Sequence, residues 1–409
     1  MLNWVSQFNT FCFLDNHEYY SLNNRFECLV GAGSIKEITS APANAFNQLD
    51  SFLEQEREWL FGHLGYDLKN EIENLHSGNF DGVQFPDLFF FIPEVVIQIE
   101  KKEIKIGTIH KKAQYYFDQI QNSSTISPKN DAKVSIAARF SREEYINTVN
   151  TLRRHILKGD LYEINFCQEF YSENSIADPL AIFWALAAVS PNPFAAFYKV
   201  NNRFLICESP ERFLKKSGIE IISQPIKGTW PRNVENPKQD IENKTLLQQN
   251  AKEKAENIMV VDLVRNDLSK ICLRGSVLVE ELFGAYSYPM VHQLISTIKG
   301  RLKQGTRLIE IFKATFPMGS MTGAPKVRVM ELIEKYERTK RGIFSGAVGY
   351  ISPERDFDFN VIIRSILYNA DTKYLSYQVG SGITYNSDAE KEYEECLLKA
   401  RAIKKVLGE

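Results

Sequence analysis

The sequence predicts an α+β fold, and three observations carry that expectation. Short runs with strand character follow one another closely between residues 162 and 226, and the segment KKSGIE joins two of them as a hairpin turn. The helical patterns stand apart from these runs instead of alternating with each one, which argues against a parallel α/β sheet. The chain has 409 residues, 44% hydrophobic and 24% charged, an ordinary globular composition with enough length for a sizeable core.

Taken in order, RFECLVGAG (25–33) and DLFFFIPEVVIQIE (87–100) read as strands on either side of a helical stretch around residues 44–59. QNSSTISPKNDAKVS (121–135) is polar, Ser/Asn-rich and carries a proline, so it reads as a linker. It separates an N-terminal α+β region (1–120), expected to pack onto the core, from residues 136–409. SREEYINTVNTLRRHILKGD (141–160) opens a helix. Ser141 and Glu144 are spaced as a capping box, and Tyr145, Val149, Leu152 and Ile156 recur at helical spacing. Strands follow at YEINFCQEF (162–170), FAAFYKV (194–200), RFLICES (203–209), RFLKK (212–216) and IEIISQPI (219–226). Between them LAIFWALAAV (180–189), about half a membrane span, reads as a buried helix. Later strands are expected at 342–352, 357–369 and 373–384, and helices at 246–268, 304–315, 325–336 and 387–406.

The bulk numbers narrow the partner. A formal net charge of -2 leaves no basic surplus for nucleic acid and no polybasic run for a membrane. The six cysteines are scattered with no C-x-x-C pair, which speaks against zinc or a disulfide framework and for a reducing cytoplasm. The N-terminus lacks the charged and apolar regions of a signal peptide. A small molecule or another protein is the expected partner.

Several residues could carry chemistry. With a hairpin turn near Gly218, Glu211 and Lys227 fall toward one end of neighbouring strands, either as an acid and a nucleophile or as a surface ion pair. Glu253 and Glu256 are three apart on one helix, and Glu392 and Glu395 repeat the spacing on another, where Ser387 and Glu390 are placed as a capping box. Both pairs read as solvated faces or, on facing helices, as a Mg²⁺ site, since that ion takes few hard oxygen ligands and keeps waters. FPMGSMTGAPK (316–326) and VGSGIT (379–384) are glycine turns whose backbone N–H groups could cradle an anion, though neither has P-loop spacing. Arg364, flanked by apolar residues in an expected strand, calls for a carboxylate, from a substrate or a structural glutamate. His292 is either a satisfied core residue or a site residue.

In this order the motifs resemble the chorismate-utilising enzymes, the family of anthranilate synthase component I and aminodeoxychorismate synthase component I. The resemblance rests on SPERF (209–213), PIKGTWPR (225–232), AENIMVVDLVRNDL (255–268), HQLISTIKG (292–300), FPMGSMTGAPKVRVMELI (316–333), RGIFSGAVGYI (341–351), NVIIRSI (360–366) and GSGIT with DAEKEYEECLLKARA (380–402). It implies two large antiparallel sheets packed orthogonally with helices outside, and a chorismate-binding catalytic region over 136–409. The P-I-K-G-T form, where anthranilate synthases have alanine for Lys227, is similar to aminodeoxychorismate synthases. It implies that Lys227 attacks C2 of chorismate as the C4 hydroxyl leaves, and that ammonia then adds at C4 to give 4-amino-4-deoxychorismate for p-aminobenzoate and folate. For this the amine must be neutral, so burial or a nearby cation would have to lower its pKa.

The same resemblance implies Glu211 as general acid, and Glu256 and Glu395 as Mg²⁺ ligands with Glu253 and Glu392 close by. It places Gly380 and Gly382 at the ring carboxylate, Arg364 at the enolpyruvyl carboxylate, and His292 and Ser320 near the C4 substituent. Three features depart from the family pattern. Phe344 replaces a tyrosine, and Glu163 stands where a glutamine or, in isochorismate synthases, a lysine is usual. An L-L-E-S-type element for tryptophan control is missing. No glutamine-hydrolysing cysteine motif occurs, so ammonia is expected free or from a separate glutamine amidotransferase subunit.

Overall fold

The structure is a computed structural model, and it describes residues 1–409 apart from 20–25, 41–43, 102, 126–127 and 130–133. Part of the expected linker, residues 126–127 and 130–133, lies outside the described residues; its first two residues, 121 and 122, end the helix Ala113–Asn122. All strand pairings within the two sheets are antiparallel, as the α+β reading expects.

One sheet of eleven strands is centred on Glu163–Ser172, Tyr374–Ile383, Ser365–Asn369, Arg203–Ser209 and Phe194–Val200. It continues without a break into Thr10–Asp15, Cys28–Ala32, Val95–Glu100 and Glu103–Thr108. The other, of ten, runs from Ile226–Pro231 through Val291–Arg301, Glu220–Gln224, Arg212–Ser217, Phe357–Val361 and Ala347–Ile351 to Leu60–Leu64, Leu88–Ile92 and Lys36–Thr39. Strands of the first 120 residues therefore extend both sheets. The first sheet is buried on both faces, and side-chain alternation along its strands shows it. Cys12, Val96, Leu205 and Cys207 point into the core shared with the second sheet, whereas Phe11, Phe13, Val95, Val30 and Ile206 point into a core covered by helices. Those helices include Arg142–Leu157, Pro179–Val189 and Ala389–Leu407.

The Ser141–Glu144 capping box is present, and the hairpin turns at Gly218 with φ +59°. Four expectations shift. The helix expected over 246–268 is two, Pro237–Gln249 and Ala251–Ile271, because the Asn250 side chain accepts from the N–H groups of Lys252 and Glu253 and starts the second one. The last helix is capped by Asp388 in place of Ser387, whose hydroxyl accepts from Thr384 N–H instead. Lys227 does not extend the hairpin strand; beyond Pro225 it enters a separate strand paired with Val291–Arg301. Finally, the apolar run 357–369 is broken at residues 362–364, where the chain leaves one sheet for the other. The residues at 210–211 make the same kind of crossing. These two crossings place Glu211 and Arg364 between the sheets.

Candidate active site

A cavity of about 720 Å³ opens where the crossings, the strand Tyr374–Ile383 and two helices meet. Glu211, Lys227, Glu253, Glu256, Ser320, Arg364, Gly380, Gly382 and Glu395 all line it, so nine of the eleven side chains and glycines expected at a site come together. Two do not. His292 is buried, bonded through Nε2 to Asp240 at 3.0 Å and through Nδ1 to Ser287 at 2.9 Å; its neighbour Gln293 faces the cavity, as alternation along a strand requires. Glu392 is buried beside the helix Ala251–Ile271, accepting from Lys252 Nζ at 3.0 Å.

Glu211 is fixed from three sides. Its N–H donates to Ser209 Oγ (3.2 Å), its carbonyl accepts from Val361 N–H (3.0 Å), and Ser320 Oγ donates to its Oε1 at 2.5 Å. Burial raises its carboxyl pKa to about 7, against the lowering effects of Ser320, the Ile226 N–H and Lys227. A carboxyl held near neutrality is suited to give up a proton at physiological pH.

Lys227 forms an ion pair with Glu163, a buried carboxylate on the strand Glu163–Ser172 of the other sheet. Its carbonyl accepts from Asn257 Nδ2 at 3.1 Å, and Ser296 Oγ holds that amide from behind at 2.6 Å. Burial pushes Lys227 toward the neutral amine, but Glu163, Glu256 and Glu395 outweigh it and leave its pKa above the ordinary lysine value. The lowered pKa required for attack is therefore not a property of the free protein. Close packing explains Gly382: a Cβ there would lie 2.7 Å from Glu163 Oε1 and 3.0 Å from Lys227 Cε, and closer still to Nζ. Those atoms end flexible side chains, so Gly382→Ala should keep its Tm while losing about 10²-fold in kcat through a displaced amine, measurable in parallel. Gly380 is held for another reason, since a Cβ would run into the Phe166 carbonyl.

The carboxylates are asymmetric. Burial raises Glu256 to about 8, with Lys227 opposing and Glu163 adding to the rise, and burial also raises Glu253. Glu395 is pushed up by burial but held below the usual range by Lys399 at 2.8 Å, with Lys252 and Lys227 assisting. Among the described residues Glu256 Oε1 and Glu392 Oε2 are buried without a hydrogen bond, the former 3.6 Å from Lys252 Nζ. Among the described residues no three acidic, His or Cys side chains form a ready metal cage. Arg364 sits at φ +53°, an uncommon conformation for a non-glycine residue, and its Nη1 donates to the Lys399 carbonyl at 3.1 Å. Among the described residues it has no carboxylate in ion-pair range, and burial lowers its pKa to about 10. The structural-glutamate option for Arg364 is thereby set aside.

Residues missed by sequence reasoning are Lys399, Lys252 and Asn257. Lys399 lines the cavity and donates to the Gly380 carbonyl at 2.9 Å; its spacing of four from Glu395 was the available signal. Arg341 and Glu337 also matter, fully buried behind the site. Arg341 donates to the carbonyls of Met321 (2.6 Å) and Asn165 (2.8 Å), tying the Ser320 turn to the Glu163 strand.

Comparison with known proteins shows the family and the fold. Residues 15–405 match the family of chorismate binding enzymes. Aminodeoxychorismate synthase component 1 of Bacillus subtilis (strain 168) is 30% identical, covering 90% of this chain and 82% of the relative. Component 1 of Escherichia coli (strain K12) is 32% identical, with 85% and 76% covered. The chloroplastic aminodeoxychorismate synthase of Arabidopsis thaliana is 36% identical over 83% of this chain, which spans only 39% of that longer protein. The crystal structure of anthranilate synthase component I from Streptococcus pneumoniae TIGR4 superposes with a TM-score of 0.82 at 25% identity, covering 95% of this chain and 93% of the other. The two-sheet fold, a cavity built from the very stretches that carry the resemblance, and a match from residue 15 to residue 405 make this chain a member of the chorismate-binding enzyme family.

Proposed function

We propose that this chain makes 4-amino-4-deoxychorismate from chorismate and ammonia, in the route to p-aminobenzoate and folate. The observation that carries the reading is the common cavity of Lys227 and Glu211, a potential nucleophile and an acid poised at about pH 7. The neutral Lys227 amine adds to ring C2, both conjugated ring double bonds shift by one bond toward C4, and the C4–O bond breaks as Glu211 passes its proton to the leaving hydroxyl, which departs as water. Ammonia then adds at C4, both double bonds shift back, and the C2–N bond breaks to free Lys227. The C4 ammonium returns one proton to Glu211. Chorismate carries two carboxylates, and Arg364, without a carboxylate partner among the described residues, supplies the fork for one of them. Incubation with chorismate, Mg²⁺ and ammonium at about pH 8.5, with products read by mass spectrometry, tests the reading. 4-Amino-4-deoxychorismate is the expected product; anthranilate with pyruvate would overturn it.

Glu256 and Glu395, with Glu253 beside them, are the residues that would hold Mg²⁺. The orphaned Glu256 oxygen and the raised carboxyls fit a cation that keeps waters and takes further oxygens from substrate. Bound there, the ion neutralises and orients a substrate carboxylate. Glu392 contributes through Lys252. Chelation with EDTA should abolish turnover and added Mg²⁺ restore it. Glu256→Ala should raise the Mg²⁺ needed for half-maximal rate by ~10-fold or more, on the scale of losses at metal sites.

The ammonia is proposed to come from a separate glutamine amidotransferase subunit, which suits relatives named as component 1. A cytoplasmic setting suits six buried, unpaired cysteines. Among the described residues no helix is long and apolar enough to cross a membrane.

A further inference from the structure

Attack by Lys227 needs a neutral amine, and the free protein holds an ammonium paired with a single buried carboxylate. We propose that Glu163 is the proton acceptor of Lys227, taking the ammonium proton before attack on the ring and returning it after the lysine is expelled. The proposal rests on the reading of Lys227 as nucleophile.

Four observations point to Glu163 among the acidic groups nearby. It is the one carboxylate in ion-pair contact with Lys227 among the described residues, and it is 2% exposed. Its other oxygen, Oε2, is buried with no hydrogen-bond partner among the described residues, so it is free to take a proton. The strand Glu163–Ser172 is held in place by the Arg341 bond to Asn165 and by Glu337, which accepts from Cys167 N–H at 2.9 Å. Opposite the pair, Gly382 keeps the space in which the two side chains meet.

The remaining charged groups around the amine are arranged differently. From the helix Ala251–Ile271 come Glu253, Glu256 and Lys252; from the helix Ala389–Leu407, Glu395 and Lys399. The crossings contribute Glu211 and Arg364. Glu211 must keep its own proton for the leaving hydroxyl, and Glu395 is committed to Lys399. The carboxylates of the first helix favour the ammonium by charge but make no contact through which its proton could pass. Within this cavity the transfer turns one carboxylate and one ammonium into a carboxylic acid and an amine without any change in total protons.

The proton count closes. Transfer from Lys227 to Glu163 gives amine and acid. After attack at C2 the adduct is a secondary ammonium, and breaking the C2–N bond leaves Lys227 with two protons. Glu163 then returns the third and the ion pair is restored. Glu211 and the product nitrogen exchange the other proton.

The test is kcat against pH for the full chain and for Glu163→Gln, at saturating chorismate and Mg²⁺ and at fixed free ammonia. In the parent the proton moves internally, so its transfer does not depend on pH. In E163Q the lysine must lose its proton to water. The expected result is a rate about 10²-fold or more below the parent near pH 7. The ratio of parent to variant should then narrow about tenfold per pH unit as pH rises, because the Glu211 dependence is common to both and cancels. Glu163→Asp keeps a carboxylate, and its ratio to the parent should stay constant with pH. A pH-independent ratio for E163Q, an unchanged rate, or a pH-dependent ratio for E163D would overturn the proposal. If E163Q does not fold, Glu163→Ala, which also lacks an acceptor, decides in its place: a ratio that narrows with pH supports the proposal and a constant one overturns it. Lys227→Arg, assayed beside them, separates failures: an active K227R removes the nucleophile reading itself, whereas an inactive K227R with flat E163Q ratios removes only the role of Glu163.

Discussion

Lys227→Ala is expected to lose 4-amino-4-deoxychorismate formation by at least about 10³-fold, the scale on which removal of a covalent nucleophile acts. Without the amine, ammonia would have to displace the C4 hydroxyl directly, with no intermediate to divide the barrier. The alanine variant also leaves Glu163 and Glu256 without the cation that both face, and stripping one partner from a buried pair costs roughly 3–5 kcal/mol unless the carboxylate takes up a proton. Loss of activity in K227A alone therefore mixes chemistry with stability. Lys227→Arg resolves the two, because a guanidinium keeps the positive charge beside Glu163 yet is never a neutral nucleophile. K227R should bind chorismate within a few-fold of the parent, by equilibrium titration, and still be inactive to the same ~10³-fold level. A K227R variant with parental turnover would end the covalent reading and leave Lys227 a charge.

Much of the fold was legible, because period-two and period-3.6 patterns report burial directly. The Ser141 capping box, the Gly218 hairpin and the apolar helix Pro179–Val189 are where their residues place them. What the pattern could not show is where the chain changes sheets. Residues 357–369 form one apolar run because both sheets are buried, and neither glycine nor proline marks the crossing at Arg364. Yet that crossing is what brings Arg364 into the cavity. The site shows the same division. Lys227, Glu211, Ser320 and Arg364 could be named from their motifs, since chemistry restricts those residue types. His292 and Glu392 shared the same motifs but turn to Asp240 and Lys252, a choice set by neighbours on other elements. The charge state of Lys227 was beyond reach for the same reason. It depends on Glu163, 64 positions earlier and on the other sheet, a neighbour that only the packing of the two sheets supplies.

Glu211→Gln should lower kcat by about 10²–10⁴-fold, the range for removal of a positioned general acid. Glutamine has nearly the same shape and its carbonyl can still accept from Ser320, so the turn at residues 209–211 and the cavity are preserved; only the transferable proton is lost. The pH dependence carries the sign. Burial lifts the Glu211 carboxyl from 4.5 to about 7, so the acid form dominates below pH 7 and is lost above it. At fixed free ammonia, kcat/KM for chorismate in the parent should fall about tenfold per pH unit above pH 7, and E211Q should lack that limb. At fixed total ammonium the outcome differs, since free ammonia rises with pH as the acid form of Glu211 falls, and the two slopes cancel into a plateau above pH 7. Ser320→Ala adds an independent check. Its hydroxyl stabilises the carboxylate, so removing it should move the falling limb to higher pH, while leaving the carboxyl itself in place. A limb that stays put in S320A, or persists in E211Q, would assign the departing proton to another group.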